Sequence, residues 1–71
     1  MEKESVINKV FDLRTKEGLT QENLANELNI SRQTVIAIEK GNYIPSVFLA
    51  LKISKFFKLS VEKIFSISYD K

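Results

Sequence analysis

The stretch that decides the fold runs from Gln21 to Lys40, QENLANELNISRQTVIAIEK. Two short helices joined by a tight turn need a small residue where they cross, a turn residue tolerant of positive φ, and apolar residues on both inner faces. Ala25 meets the first need and Asn29 the second, while Leu24, Leu28, Ile30, Val35 and Ile38 are spaced to seal the pair. Glycine is commoner in such turns, but asparagine is the side chain that next most readily takes the left-handed conformation. Thr20 and Ser31 stand where N-caps belong, so helices are predicted from Gln21 to Leu28 and from Arg32 to Lys40. Lys40 followed by Gly41 closes the second with a cation at its negative end and a residue free to turn.

Outward from this hairpin, Val6, Val10 and Leu13 at helical spacing predict a first helix over 5–17, ended by Gly18. Pro45 and Ser46 open a fourth helix, in which Leu49, Ala50, Ile53, Phe56 and Phe57 supply apolar faces. Ser60 caps a last short helix carrying Val61, Ile64 and Phe65. Beyond it Phe65, Ile67 and Tyr69 alternate with Ser66, Ser68 and Asp70, a period of two that favours a short strand. The expected fold is therefore a compact, all-α, five-helix domain over residues 1–71 with a short extended C-terminal segment.

Composition narrows the function classes. At 71 residues the chain is at most one small domain, and domains near this size bury only about 60% of their unfolded surface. Self-association would add burial that the core lacks. With no cysteine and no histidine, disulfides, thiolate nucleophiles, imidazole bases and the usual zinc sites are excluded together. No carboxylate pair or lysine sits beside a cleft-forming element, so no enzyme, metal site or cofactor is expected. No apolar run is long enough to cross a membrane, and Met1, Glu2, Lys3 and Glu4 are too acidic and polar for a signal peptide. A soluble cytoplasmic protein without membrane contact is expected. The net charge is only +2, yet residues 31–58 carry Arg32, Lys40, Lys52, Lys55 and Lys58 against Glu39 alone. That local basic bias suits a polyanion partner without identifying one.

The phrases LTQENLANELNISRQTVIAIEKGNYIPS, LALKIS and LSVEKIF, spanning roughly residues 10–65, resemble the helix-turn-helix family of phage Cro and C1-type repressors, also called XRE-type bacterial regulators. Within it they are similar to very small single-domain members with little beyond the DNA-binding unit. The resemblance implies a lambda-repressor-like fold and sequence-specific binding to double-stranded DNA, with repression from a palindromic operator by a homodimer. A module of antitoxin or protein-interaction type, built on the same helical core, is the other reading. The chain has no room for a ligand-sensing domain, so no small-molecule ligand is expected.

Residue types fit that implication. With Val35 and Ile38 inward, Arg32, Gln33, Ile36, Ala37 and Lys40 fall on or near the opposite side. Gln33 can pair with the N6 and N7 edge of adenine, and Arg32 with guanine or a phosphate. Ile36 suits a thymine methyl or else a core edge. Ser31, Thr20 and Gln21 lie at helix N-termini, where a phosphate is favoured. Asn42 and Tyr43 match family positions that touch the DNA backbone, with packing against helix four open for Tyr43, and Lys40 is placed among the phosphate contacts. Lys52, Lys55 and Lys58 read as a solvated face. The resemblance further pairs Arg14 with Glu39 as a buried structural ion pair. A dimer surface is expected in 61–71, from Val61, Ile64, Phe65, Ile67 and Tyr69. The strand there could pair with its symmetry mate or with the residues before helix one, and Phe65 and Ile67 could instead fold onto their own core.

Overall fold

A computed structural model describes residues 3–70. Met1, Glu2 and Lys71, the last of which ends the expected dimer segment, lie outside the described residues. The chain order is β1 (Lys3–Asn8), α1 (Val10–Lys16), α2 (Gln21–Leu28), α3 (Arg32–Glu39), α4 (Val47–Phe57), α5 (Val61–Ile64) and β2 (Phe65–Asp70).

The five expected helices are present, but the domain is not strictly all-α. β1 and β2 form a two-stranded antiparallel sheet in which Val6 faces Ile67 and Asn8 faces Phe65. The first helix accordingly begins at Val10 rather than Ser5. Val6 fits a helix face with Val10 and Leu13 and a strand face equally well, and the period-two segment at the far end of the chain supplies the strand partner that decides between them. Asn8 fixes the boundary. Its Oδ1 accepts from the Val10 N–H at 3.0 Å and its Nδ2 donates to the Ile38 carbonyl at 2.9 Å. The Lys9 N–H donates to the Ile64 carbonyl at 3.0 Å, joining the start of α1 to the end of α5.

Side chains start most of the helices as the sequence requires. Thr20 and Asn23 form a reciprocal capping box, with Asn23 N–H to Thr20 Oγ1 at 3.0 Å and Thr20 N–H to Asn23 Oδ1 at 3.2 Å. Ser31 and Ser46 each accept the N–H three residues on, both at 3.1 Å. Ser60 precedes α5 in extended conformation without such a bond. Asn29 closes α2 in the left-handed region at φ 58°, and Lys58 does the same for α4 at φ 59°.

One core sits where the helices converge. Val10, Leu24, Ala25, Leu28, Val35, Ile38, Leu49, Ile53 and Ile64 are buried, with Leu13, Ile30, Phe56, Phe57, Leu59 and Phe65 packed around them. Ile64, expected at a dimer surface, is 2% exposed. A four-residue helix has room for one fully inward side chain, and Ile64 takes that place. No described helix is long and apolar enough to cross a membrane.

Candidate nucleic-acid interface

The hairpin of α2 and α3 is closed by its own small and left-handed residues. Ala25 is 2% exposed at the crossing, and the Asn29 turn sends the Ile30 N–H back to the Ala25 carbonyl at 3.0 Å. With Val35 and Ile38 each 1% exposed, the rotation of α3 is fixed by packing. Gln33 and Lys40 then stand exposed on the outer side, and Ile36 and Ala37 flank them half-buried. Ile36 is therefore partly accessible from outside.

Arg32 is exposed but lies to one side of that face. It lines a cleft of about 580 Å³ together with Arg14, Thr20, Gln21 and Glu22. The N-terminus of α2 opens onto this cleft, where the first helical N–H groups have no intrahelical acceptor and the helix dipole is positive, with the Glu22 carboxylate beside it. Thr20 uses its Oγ1 as acceptor in the capping box, which leaves its hydroxyl hydrogen to donate. Ser31 Oγ is occupied by the Thr34 N–H and lies 2.8 Å from Thr34 Oγ1. Asn42 and Tyr43 are exposed in the loop after α3, where the Asn42 N–H donates to the Ala37 carbonyl at 2.9 Å.

The face is anchored by a buried ion pair. Arg14 Nε donates to Glu39 Oε2 at 2.6 Å and Nη2 donates to Oε1 at 3.2 Å. The two side chains are only 10% and 5% exposed. The third guanidinium nitrogen, Nη1, donates to the Leu19 carbonyl at 2.7 Å, and the Phe11 ring centroid lies 5.3 Å from the guanidinium carbon. Gln21 Nε2 adds a donor to Glu39 Oε1 at 3.1 Å. Arg14 of α1, Gln21 of α2 and Glu39 of α3 are thus one network, which ties the end of α3 to both preceding helices. Gln21, a candidate phosphate contact, has one of its two amide hydrogens committed inside the fold. A buried pair of this kind gives little net stability, because desolvation offsets the attraction, but it fixes one geometry.

Two further residues anchor the hairpin. Asn8 holds the Ile38 carbonyl near the end of α3, as described above. Lys52, read as solvated, is half-buried and donates from Nζ to the Leu28 carbonyl at the C-terminus of α2. A cation at that end is favoured by the helix dipole. No local pattern announces either contact, since the partners are 30 and 24 residues apart.

A helix-turn-helix family model matches residues 10–64, from the first residue of α1 to the last of α5. The chain belongs to the Cro/C1-type helix-turn-helix family. The family is one of DNA-binding transcriptional regulators rather than enzymes. An uncharacterized HTH-type transcriptional regulator from Methanocaldococcus jannaschii is 57% identical over 58 residues, which cover 82% of this chain and 88% of that protein. The cryptic phage CTXphi transcriptional repressor RstR of Vibrio cholerae is 33% identical over 59 residues, 83% of this chain and 53% of the repressor. The restriction-modification controller protein C.AhdI from Aeromonas hydrophila superposes with a TM-score of 0.70 at 29% identity, covering 78% of this chain and 83% of the controller. The shared portion of this helix-turn-helix unit is the whole helical core; β1 lies before the matched residues and β2 after them.

Proposed function

We propose that this chain is a sequence-specific repressor that occupies a palindromic operator as a homodimer, each copy placing α3 in a major groove. The observation that carries the reading is the contrast across α3: apolar Val35 and Ile38 are buried, while Gln33 and Lys40 are exposed on a face held by the Arg14–Glu39–Gln21 network. Gln33 reads a base edge, with Ile36 and Ala37 offering apolar contact to a thymine methyl. Arg32 takes either a guanine edge or, from its place in the cleft, a phosphate. Thr20, Gln21, Ser31, Lys40, Asn42 and Tyr43 hold the backbone and so set register rather than sequence.

A single α3 reads few base pairs. Two copies with recognition helices about 34 Å apart would read two half-sites. The C-terminal segment 61–71 contributes to that pairing through the exposed Ile67 and Tyr69 and the half-buried Val61 and Phe65, with Ile64 supporting them from beneath. A domain this small represses by occluding the promoter. The rival reading, a protein-interaction module of antitoxin type, would place its apolar contact surface on α3; the large exposed apolar side chains lie elsewhere.

Gln33→Ala tests the assignment. It should weaken binding to the cognate site by about 1 to 3 kcal/mol and binding to random duplex by much less. Equal losses on both, measured by titration at fixed salt, would remove Gln33 from base recognition.

A further inference from the structure

Asn8 ends β1, half-buried against the last turn of α3. Its amide serves two elements at once: Oδ1 accepts from the Val10 N–H at 3.0 Å, and Nδ2 donates to the Ile38 carbonyl at 2.9 Å. The first bond supports the start of α1. The second reaches across to α3, to one of the carbonyls that a helix end leaves without an intrahelical donor. That carbonyl also accepts the Gly41 N–H at 3.0 Å, so both its lone pairs are used where the chain leaves α3. The next residue, Glu39, is the acceptor of Arg14 and Gln21. The end of α3 is thus gripped twice, through the Glu39 side chain from α1 and α2 and through the Ile38 carbonyl from the sheet. β1 has its own supports elsewhere. Asn8 pairs with Phe65, which packs on the core, and the Lys9 N–H holds the Ile64 carbonyl. Val6, Ile7 and Asn8 of the strand share a cleft of about 220 Å³ with Glu39, Lys40 and Gly41. Packing between strand and helix end is incomplete there, which leaves the contact to the amide.

From this arrangement we infer that Asn8 is a positioning residue for base recognition: the sheet braces the end of α3 through the Asn8 amide, and the placement of Gln33, Ile36 and Ala37 against base edges depends on that brace. The inference rests on the reading of α3 as the recognition helix. Asn8 is not among the residues assigned to DNA and acts through α3 alone. At eight residues α3 is only about two turns long, so a shift at its last turn moves the whole element. Hydrogen bonds to a base edge weaken steeply once distance and angle leave a narrow range. Asparagine also suits the two demands where its neighbours in chemistry do not. An aspartate accepts from Val10 but has no hydrogen for Ile38, and a serine hydroxyl stops one bond short of it.

The test compares Asn8→Asp, Asn8→Ser and Gln33→Ala with the parent. The probes are a duplex that the parent selects from a random library and a random-sequence duplex, titrated at fixed salt well below each melting midpoint. Asn8→Asp keeps the acceptor for Val10 and loses the donor to Ile38. It should lower the ratio of cognate to random affinity about tenfold, the scale on which residues away from a contact surface alter coupling. Asn8→Ser, which adds no charge, should act in the same direction and gives the readout should Asn8→Asp lose its helical circular dichroism. Either change made on top of Gln33→Ala should reduce cognate affinity less than it does in the parent, because the contact it displaces is already gone. A lower melting midpoint with an unchanged affinity ratio would make Asn8 merely structural and overturn the inference, as would full additivity with Gln33→Ala. If Gln33→Ala lowers the ratio and neither Asn8 variant does, the inference alone falls. A parent that selects no site, or a Gln33→Ala chain with the parent's ratio, would overturn the base-recognition reading and the inference together.

Discussion

The α2–α3 half and the α4–sheet half of this domain hide their side chains in opposite ways. Around α3 the apolar residues are inside and even a charged pair is withdrawn from water, with Arg14 and Glu39 at 10% and 5% exposure. Along α4 and β2 the reverse holds: Phe48, Val47 and Ile67 face outward while Leu49, Ile53 and Ile64 fill the core. Both helices carry apolar residues, yet a core this thin covers one side of each. What differs is the other side. On α3 it carries the exposed polar Gln33 and Lys40; on α4 it carries the exposed apolar Val47, Phe48 and Leu51. The recognition half has its apolar residues covered within one chain, and the other half leaves Val47, Phe48 and Ile67 exposed.

The largest effect expected from breaking this contrast falls on the ion pair. Glu39→Ala leaves Arg14 buried without its carboxylate, a loss of about 3 to 5 kcal/mol. In a domain of this size that lowers the melting temperature by more than about 10 °C. Thermal denaturation followed by circular dichroism checks it, and an unchanged midpoint would place the pair in water. The matching change in the other half, Phe48→Ser, removes a larger side chain but one that is 71% exposed. At a concentration low enough to keep the chain monomeric it should alter stability by no more than about 0.5 kcal/mol.

A smaller effect separates the two arginine positions. Arg32→Ala should weaken binding to cognate and random duplex alike and flatten the salt dependence by about one phosphate, if the cleft beside Thr20 and Gln21 is where it acts. A loss confined to the cognate site would return Arg32 to base recognition. Thr20→Ala removes the capping-box acceptor and should cost about 1 kcal/mol in chemical denaturation. Effects of similar or smaller size are expected at the two left-handed positions, one in each half. Glycine at Lys58 should stabilise by up to about 1 kcal/mol, because a long side chain gains nothing locally in that conformation. Glycine at Asn29 should gain only about a few tenths, since asparagine already tolerates it. Equal gains would mean that the Asn29 side chain contributes nothing to the turn.

The legibility of this fold in its sequence follows the range of each interaction. Thr20, Ser31, Asn29, Val35 and Ile38 act on neighbours within a turn or two, so the helix-turn-helix was readable from its own residues. β1 is legible only in part: the residues before helix one are one of the two partners the sequence offers the terminal strand, and they are the one it takes, but the alternation of β1 is partial and Val6 fits a helix as well. Arg14 and Glu39 are separated by 25 residues, and only the family resemblance joined them; the addition of Gln21 to that pair was visible nowhere but in three dimensions. A short terminal helix offers no periodicity with which to choose its inner face, so the sequence does not reveal that Ile64 is buried. The exposed stripe of α4 was hidden for a related reason. A helix apolar nearly all round, VFLALKISKFF, does not announce which side a small domain can afford to cover.

Selection of bound duplexes from a random library by the full chain tests the central claim most directly. If two locked α3 helices act together, the enriched sites are inverted repeats whose half-site centres lie about 10 base pairs apart, and Gln33→Ala relaxes the preference at the same position in both halves. Enrichment of a single unrepeated half-site, or no enrichment over the starting library, would contradict the account.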